Sequence, residues 1–252
     1  MPTVGIIGGS GLDDPKILEN PSEAQVETPY GPPSAPLVCG RIGKTPTILL
    51  ARHGQRHQYS PAQVNYRANI HALKAHGATH ILATTACGSL REHIGRGDFV
   101  IVDQFIDFTR QRRTTFFESF ADGAHHTAMA DPFDADLRGR LCRVCMALGF
   151  DFHDGGTLLT IEGPRFSTRA ESNMFRIWGA DVINMSVAPE AALANEAGIP
   201  YAVVAMSTDY DCWKTDEAPV SWEDILTVFN RNADRVKQLL ARVVEGMGAA
   251  KA

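Results

Sequence analysis

The sequence predicts an α/β fold in which a central mixed, mostly parallel β-sheet is flanked by helices. Short apolar runs alternate along the chain with longer amphipathic stretches, the pattern of a sheet covered by helices. Several runs, such as residues 202–206, are apolar throughout, so both faces of those strands must be covered. The 252 residues show no internal repeat or charged linker, so we expect one domain spanning 1–252.

The elements are assigned in order from their hydrophobic periodicity. Strands, as short apolar and β-branched runs, are predicted at 4–7, 47–51, 80–85, 99–102, 157–161, 182–185 and 201–208. Helices, with apolar residues at helical spacing, are predicted at 62–76, 137–148, 169–178, 189–197 and 221–247. Ligands of such folds gather beyond the carboxyl ends of the strands, and the chain's unusual polar clusters follow several of these strands.

Composition excludes several classes of protein. Hydrophobic residues make up 44% and charged residues 21%, which describes an ordinary folded chain, and no run approaches a membrane span. The net charge of −5 gives no reason to expect a nucleic-acid or membrane partner. Without a signal peptide, we expect a cytoplasmic protein. The cysteines are too scattered for a disulfide framework, and the pair Cys142 and Cys145 reads as packed helix thiols, with no clustered His for a metal.

A glycine turn, GGSG, follows the first strand. It does not match a dinucleotide-binding fingerprint, because Asp14 stands where a glycine or alanine is required. The sequence GRIGKT is not a P-loop either, since Val38 replaces the first glycine of that motif. What remains is a turn that presents backbone N–H groups and the Ser10 hydroxyl to a small anion, or a plain tight turn.

Two further strand ends carry groups suited to an anion. Arg52 and His53 follow the strand at 47–51, and a forked, permanently charged guanidinium is a natural phosphate clamp. The alternative for Arg52 is a surface ion pair, and for His57 a surface or capping role. The segment TTACGS at 84–89 offers hydroxyls and small residues that permit a close backbone approach.

The second half of the chain supplies an aromatic ring and two carboxylates. Phe166 and Ser167 lie side by side, although Phe166 could belong to the core and Ser167 could cap the next helix. Asp209 and Asp211 follow an apolar strand, where two carboxylates are costly to desolvate without a partner that shares or donates a proton. The alternative is a solvated turn.

Taken together, these motifs closely resemble the 5'-methylthioadenosine phosphorylase family of the trimeric purine nucleoside phosphorylases. The resemblance runs in order through GIIGGSGLDD, ARHGQRHQYSPAQVNYRANIHALKAHG, TTACGSLRE, DQFIDFT, IEGPRFSTRAESNMFRIWGADVINMS and AMSTDYDCWK. It implies a phosphorylase-type three-layer fold and a homotrimer, with a hexamer as the alternative. It also implies phosphorolysis of 5'-methylthioadenosine to adenine and 5-methylthioribose 1-phosphate, in purine and methionine salvage. Phosphate would be a co-substrate, and no cofactor or metal is expected.

The resemblance also implies a role for each site residue. The phosphate site would comprise Ser10, Arg52, His53, Thr85, Ala86 and Ser186. The ribose would face His57 and Met185, and the base would be held by Phe166, Ser167, Asp209 and Asp211, with Asp209 as the general acid. The 5'-substituent would lie near His126, Val220, Trp222 and Ile225, with His126 contributed by a neighbouring subunit.

The base and the 5'-group are predicted separately. Related enzymes for 6-oxopurines typically carry Glu in place of Ser167 and Asn in place of Asp209, so both residues here favour adenine. Trp222 departs from the family's usual small aliphatic residue and would favour a methylthio group through its ring, unless it packs away from the substrate. A 6-oxopurine or methylthioinosine phosphorylase remains the alternative, with a hydrolytic nucleosidase or a non-catalytic nucleoside-binding protein behind it.

Overall fold

The computed structural model describes residues 1–9, 15–121, 123–217 and 221–249, and for Trp222 it describes the backbone alone. Within these ranges the strands are β1 Val4–Gly8, β2 Glu19–Ala24, β3 Leu37–Ile42, β4 Thr45–Ala51, β5 His80–Ser89, β6 Phe99–Ile101, β7 Gln104–Phe108, β8 Phe152–Asp154, β9 Thr157–Ile161, β10 Val182–Asn184 and β11 Tyr201–Asp209. The helices are α1 Tyr66–Ala75, α2 Ala135–Leu148, α3 Arg169–Ile177, α4 Val187–Glu196 and α5 Trp222–Ala249, with a short 3-10 helix at Pro15–Ile17.

The strands form one sheet that divides at β5. From one edge the order is β2-β3-β4-β1-β5, after which β5 pairs with both β10 and β11. One branch continues through β10 to β9 and β7, and the other through β11 to β6 and β8. The pairs β1–β4, β1–β5, β5–β11, β9–β10, β6–β8 and β7–β9 are parallel. The predicted mixed, mostly parallel sheet is therefore confirmed.

Helices cover both faces of this sheet. On one face, α1 and α4 bury Ile70, Leu73 and Ala191 against the strands. On the other, α2 and α5 pack together and bury Leu141 and Leu240. A third cluster, around Phe175 of α3, covers the branch that contains β9 and β10. Fully buried aliphatic side chains of this kind contribute ~1.5–3 kcal/mol each, which makes the sheet a rigid platform for the residues at its edge.

The element boundaries differ from the predicted ones for local reasons. Helix α1 begins at Tyr66 rather than at residue 62, because the Asn65 side chain caps it by accepting a hydrogen bond from the Ala68 N–H. Helix α3 begins at the Thr168 cap, where Thr168 and Glu171 form a reciprocal capping box. No strand was predicted at β2, β3, β7 or β8. Of these, β2, β7 and β8 are edge strands, whereas β3 lies between β2 and β4.

Helix α2 contains two buried cysteines. Cys142 and Cys145 are buried on α2 as free thiols, as the sequence predicts. Burial raises the pKa of Cys142 to about 11 and that of Cys145 to about 12, so both remain protonated and unreactive near neutral pH. In the described parts of the chain, no helix is both long enough and apolar enough to cross a bilayer.

Candidate active site

A cavity of about 550 Å³ opens where the carboxyl ends of β1, β4, β5 and β11 meet. The parallel register aligns these strands, so that Ile7 of β1 lies beside both Leu50 of β4 and Ala83 of β5. The cavity is lined by Gly9, Arg52, His53, His57, Tyr59, Ser60, Pro61, Thr85, Ala86, Cys87, Gly88, Ile161, Pro164, Phe166, Ile183, Asn184, Met185, Ser186, Thr208, Asp209, Asp211 and Ile225. Its size and position are those of a small-molecule site.

Most of the residues that the sequence predicts for the site line this cavity. They are Arg52, His53, His57, Thr85, Ala86, Phe166, Met185, Ser186, Asp209, Asp211 and Ile225. Ser167 and His126 do not line it. Ser10 and Val220 lie outside the described residues, as does the side chain of Trp222.

Arg52 is buried and held from behind by a carboxylate. Its Nε and Nη2 donate to the two carboxylate oxygens of Glu190, the latter at 2.9 Å, and its Nη1 donates to the Thr84 carbonyl at 2.8 Å. Burial alone would lower the pKa of Arg52, but the charge and hydrogen bonds of Glu190 raise it overall. Since a guanidinium has five N–H donors, one on each Nη atom remains for a ligand. Arg52 is thus a fixed positive charge at the cavity wall.

Glu190 is itself fixed by a third buried group. The Tyr201 hydroxyl donates to Glu190 Oε2 at 2.9 Å, and both side chains are almost completely buried. A buried pair of this kind holds its orientation only when its remaining polar atoms are satisfied. Here Tyr201 of β11 and Glu190 of α4 together orient the guanidinium that follows β4.

His53 presents a neutral ring to the cavity. Its Nδ1 lies 2.9 Å from the Tyr59 carbonyl oxygen, which can only accept, so Nδ1 carries the proton. Burial and the charge of Arg52 lower the pKa of His53 to about 4. The ring is therefore neutral near pH 7, and its Nε2 is a hydrogen-bond acceptor. The His57 ring lies beside it, with the ring centroids 4.6 Å apart.

Two hydroxyls meet at the same end of the cavity. Thr85 lies in the middle of β5, and Ser186 is the N-cap of α4, whose N-terminus carries the positive end of the helix dipole. The Asn184 Nδ2 lies 3.2 Å from Thr85 Oγ1 and 3.4 Å from Ser186 Oγ. With Arg52 nearby, this end of the cavity offers donors and positive charge to an anion.

Asp209 lines another part of the cavity, where β11 pairs with Gly88 of β5, three residues beyond Thr85. Its carboxylate accepts hydrogen bonds from the Thr208 hydroxyl at 2.7 Å and from the Asp211 N–H at 2.8 Å. Burial raises the pKa of Asp209 to about 6, against these two hydrogen bonds, which lower it. A carboxyl group with this pKa is partly protonated near neutral pH, which suits a general acid.

Asp211 lines the cavity beside Asp209, and Ser167 lies behind it. Burial raises the pKa of Asp211, while the nearby hydroxyls of Ser172 and Ser167 lower it. The Ser167 Oγ is buried and makes no hydrogen bond of ordinary geometry, so it retains donor and acceptor capacity. Although Ser167 does not line the cavity, its hydroxyl lies within electrostatic reach of the Asp211 carboxylate. Phe166, 39% exposed, provides an aromatic face at the mouth.

Backbone strain is concentrated around this cavity. His57 and Asp211 adopt positive φ angles of 53° and 49°, a conformation that is uncommon for residues other than glycine. Both residues line the cavity. Strained backbone of this kind costs about 1–3 kcal/mol per residue and persists where the surrounding structure fixes it, typically at functional sites.

Sequence reasoning missed several residues that build the site. Glu190, Asn184 and Thr160 were given no role in it, and Gly88 was noted only as a small residue of the segment TTACGS. One signal was available: Glu190 is the lone charged residue in the first turn of α4 and is flanked by apolar residues, and buried charges require partners. Nothing in the local sequence marks the amide of Asn184, because its partners lie on other elements. In the described ranges, no group of three or more His, Cys, Asp or Glu residues could hold a metal ion.

Comparison with known proteins bears on this arrangement. Residues 3–245 match the model of the Phosphorylase superfamily. The chain is 54% identical to the S-methyl-5'-thioadenosine phosphorylase of Xenopus tropicalis, over 98% of this chain and 89% of that protein. It is 53% identical to the enzyme of the same name from Danio rerio, over 96% and 87% of the two chains.

Solved structures show the same fold. Methylthioadenosine phosphorylase from Schistosoma mansoni, in complex with adenine, superimposes with a TM-score of 0.94 at 41% identity, covering 100% of this chain and 93% of that one. A mutant of the adenosine/methylthioadenosine phosphorylase of the same organism, in complex with methylthioadenosine, gives a TM-score of 0.93 at 41% identity, with the same coverage.

The fold and the cavity are those of a nucleoside phosphorylase, and the chain belongs to the Phosphorylase superfamily. Within that superfamily it belongs to the 5'-methylthioadenosine phosphorylase family, as the identities of its relatives over nearly their full length show.

Proposed function

We propose that this chain cleaves 5'-methylthioadenosine with inorganic phosphate and releases adenine and 5-methylthioribose 1-phosphate. The relatives that carry this activity in their names are about half identical to it over nearly the whole chain. The observation that carries the assignment is chemical: one cavity joins an anion-binding end at Arg52, Thr85 and Ser186 to an acidic end at Asp209. Phosphorolysis of an N-glycoside requires both.

The reaction assigns a task to each end of the cavity. The bond between ribose C1' and adenine N9 breaks, and a bond forms between C1' and a phosphate oxygen. The transition state is cationic on the sugar and anionic on the base, so phosphate held by Arg52 and the two hydroxyls stabilises the sugar and then attacks it. Asp209, in its protonated form, donates its proton to N7 of the departing adenine.

The neutral His53 ring complements this scheme. With Nδ1 bonded to the Tyr59 carbonyl, Nε2 can accept a hydrogen bond but cannot donate one. Monohydrogen phosphate carries one O–H, and we propose that His53 accepts it. The remaining phosphate oxygens then face Arg52, Thr85 and Ser186, all of which donate.

Selection for adenine follows from the acidic end. The 6-amino group of adenine donates hydrogen bonds, and Asp211 is a carboxylate in reach of the base position, directly or through water. A 6-oxo base would place an acceptor there and meet a repulsive partner.

The 5'-substituent would contact residues that line this cavity and also residues that do not. Ile225 of α5 lines the cavity and offers an apolar contact to a methylthio group. The contacts of Val220 and Trp222 with the 5'-substituent stay predictions from the sequence. We propose further that the enzyme acts in the cytoplasm, needs no cofactor and assembles as a homotrimer, in which His126 reaches a neighbour's site.

The experiment that tests the function is product analysis with three nucleosides. Methylthioadenosine, adenosine and inosine are each incubated with the enzyme in the presence and absence of phosphate, with EDTA present throughout. We expect adenine and a sugar 1-phosphate from methylthioadenosine only when phosphate or arsenate is added. Equal adenine release in phosphate-free buffer would instead identify a hydrolase, and a preference for inosine would identify a 6-oxopurine phosphorylase.

A further inference from the structure

A threonine and an asparagine are paired behind the anion-binding end of the cavity. Thr160 of β9 and Asn184 of β10 are direct neighbours in the parallel register of those strands. The Thr160 Oγ1 lies 2.8 Å from Asn184 Oδ1, and it also lies 3.1 Å from the Ala188 N–H. Thr160 is fully buried and Asn184 nearly so, which keeps water from competing for these hydrogen bonds.

The directions of these hydrogen bonds fix which way the Asn184 amide faces. The backbone N–H of Ala188 can only donate, so Thr160 Oγ1 accepts from it and gives its single proton to Asn184 Oδ1. A flipped amide would place the NH₂ group against Thr160 and would take away the acceptor of that buried proton, which is costly. Thr160 therefore locks the Asn184 NH₂ group toward the cavity.

The fixed NH₂ group then determines in which direction two neighbouring hydroxyls donate their protons. Asn184 Nδ2 donates to Thr85 Oγ1 and to Ser186 Oγ, so both oxygens act as acceptors on this side. Their protons must point elsewhere. The Thr85 hydroxyl donates to the Ala86 carbonyl oxygen at 2.9 Å, next to the cavity.

The Ser186 side chain gives independent support for this arrangement of hydrogen bonds around Asn184. It is the N-cap of α4, a position at which a serine side chain ordinarily accepts a hydrogen bond from the first turn of the helix. Here the Ser186 side chain makes no such capping bond. Its oxygen is taken by Asn184, and its proton remains available at the cavity wall that it lines.

We propose that Asn184 is a positioning residue, which Thr160 locks so that the hydroxyls of Thr85 and Ser186 donate their protons to phosphate. This inference rests on the proposed function, because it concerns the phosphate of that reaction. Phosphate oxygens without protons can only accept, so hydroxyls that are forced to donate bind phosphate better than freely rotating ones. The pair also excludes an alternative arrangement, in which an amide oxygen would compete with phosphate for the same protons.

The first test replaces the donor by an acceptor of the same shape. In Asn184→Asp, a carboxylate accepts the protons of Thr85 and Ser186 and repels the anion. We expect the KM for phosphate to rise ~10- to 100-fold, the range for hydrogen bonds to a charged group. The KM for methylthioadenosine at saturating phosphate should change less than twofold. The matched control is Asn69→Asp, which also buries a carboxylate in place of an amide, but outside the cavity.

The second test removes the lock and leaves Asn184 in place. Thr160→Val keeps the shape of the side chain but frees the amide to rotate, so the KM for phosphate should rise by ~10-fold or less. Thr160→Ser restores the hydroxyl and should recover most of the lost phosphate affinity. The control is Thr47→Val, another buried threonine in a strand, whose hydroxyl bonds only to the Thr45 carbonyl.

Direct phosphate binding separates this inference from the proposed function. The rise in melting temperature with added phosphate is measured for each purified variant, without any nucleoside present. Weaker phosphate binding by Asn184→Asp and Thr160→Val, with Thr160→Ser close to wild type, supports the inference. Unchanged phosphate binding, or an equal rise in KM for both substrates, overturns it. Adenine release by the wild type without phosphate overturns the proposed function instead.

Discussion

At the scale of single residues, Asp209 is subject to two opposing influences. Burial favours its neutral form, whereas the hydrogen bonds from Thr208 and from the Asp211 N–H favour its charge. Burial prevails, and the pKa rises to about 6. An unperturbed aspartate would be almost entirely ionised at pH 7 and could not supply a proton to adenine. The protein therefore keeps a usable fraction of the acid by excluding water from one carboxyl group.

This pKa gives the pH dependence its direction. In the proposed mechanism the protonated form of Asp209 donates the proton, so kcat should fall as the pH rises through about 6 and continues upward. Asp209→Asn should lower kcat ~10²- to 10⁴-fold. Phosphate also titrates in this range, so the measurement is the ratio of wild-type to Asp209→Asn rates at saturating phosphate between pH 5 and 8. A ratio that does not vary with pH would contradict the role of Asp209 as the acid.

The raised pKa of Asp209 also affects stability, which falls with rising pH in the same direction as kcat. The folded-state pKa of Asp209 lies above its unfolded value, so the folded protein binds this proton more tightly. The associated stability is complete below the unfolded pKa of about 3.8 and is lost as the pH rises through about 6. Asp209→Asn removes that loss. We therefore expect the inactive variant to unfold at a slightly higher urea concentration than wild type at pH 7.

The pair of Arg52 and Glu190 is a second case of a buried charge at the site. Removing one partner leaves the other charge buried without compensation, which costs about 3 kcal/mol or more. We expect Glu190→Gln to lower the free energy of unfolding by this amount and to weaken phosphate binding, measured by urea denaturation and by phosphate titration. Asp136→Asn breaks the exposed pair with Arg140 on α2 and should leave both quantities nearly unchanged. Equal effects of the two variants would contradict this account.

At the scale of elements, the pairing of β5 with β11 becomes irregular at Gly88. The register of the two strands shifts between Ser207 and Asp209, and this irregularity brings the Asp209 carboxylate over the Gly88 backbone. A Cβ atom on residue 88 would lie 2.8 Å from Asp209 Oδ1 and 3.1 Å from Ile183 Cγ2. The glycine thus creates the space in which the acid is held.

Gly88→Ala should therefore displace the Asp209 carboxylate with little effect on the rest of the sheet. We expect kcat to fall ~10- to 100-fold, since a shift of about 1 Å in a reacting group has effects of this size. Gly95→Ala is the control, because its Cβ would come no closer than 3.5 Å to any neighbour. Steady-state kinetics and thermal unfolding of both variants make the measurement. A wild-type kcat for Gly88→Ala would contradict this prediction, because it would show that the added methyl group does not displace the Asp209 carboxylate.

Some of the strands can be predicted from the sequence and others cannot. The apolar run at 201–208 predicts a buried strand, and the polar residues after it predict the acidic end of the site, because strand ends meet at one edge of a parallel sheet. The strands β2 and β8 could not be predicted in this way. All residues of β2 but one are exposed and β8 has three residues, so neither carries a hydrophobic pattern.

The contacts that orient the cavity residues could not be predicted from the sequence. Arg52 and Glu190 are 138 positions apart, and Asn184 and Thr85 are 99 apart. Such contacts follow from the path of the sheet and not from local spacing. The resemblance to a known family identified residues that line the cavity, whereas the groups that orient them became visible only in the structure.

At the scale of the whole molecule, the long segment between β7 and α2 is unusual. Its described residues, from 109 to 134, contain no helix or strand, and loops of this length are uncommon in compact domains unless they are functional. Phe117 and Phe120 are exposed on it, and His126 lies against the Phe120 ring at a centroid distance of 5.4 Å. Exposed aromatic rings of this kind are typical of surfaces that meet another protein.

His126 could contact the substrate of its own chain or that of a neighbouring chain, and mixed trimers distinguish the two. In its own chain His126 does not line the cavity, so in the proposed homotrimer it would complete the 5'-end of an adjacent site. His126→Ala alone should raise the KM for methylthioadenosine, and Asp209→Ala alone should be nearly inactive. When the two variants are refolded together in equal amounts, about a quarter of the sites pair an intact Asp209 with an intact His126 from the next chain. Those sites should show the wild-type KM, detected as a second, tighter phase in the kinetics. If only the raised KM is seen in mixtures that sedimentation shows to be mixed trimers, His126 acts within its own chain or not at all.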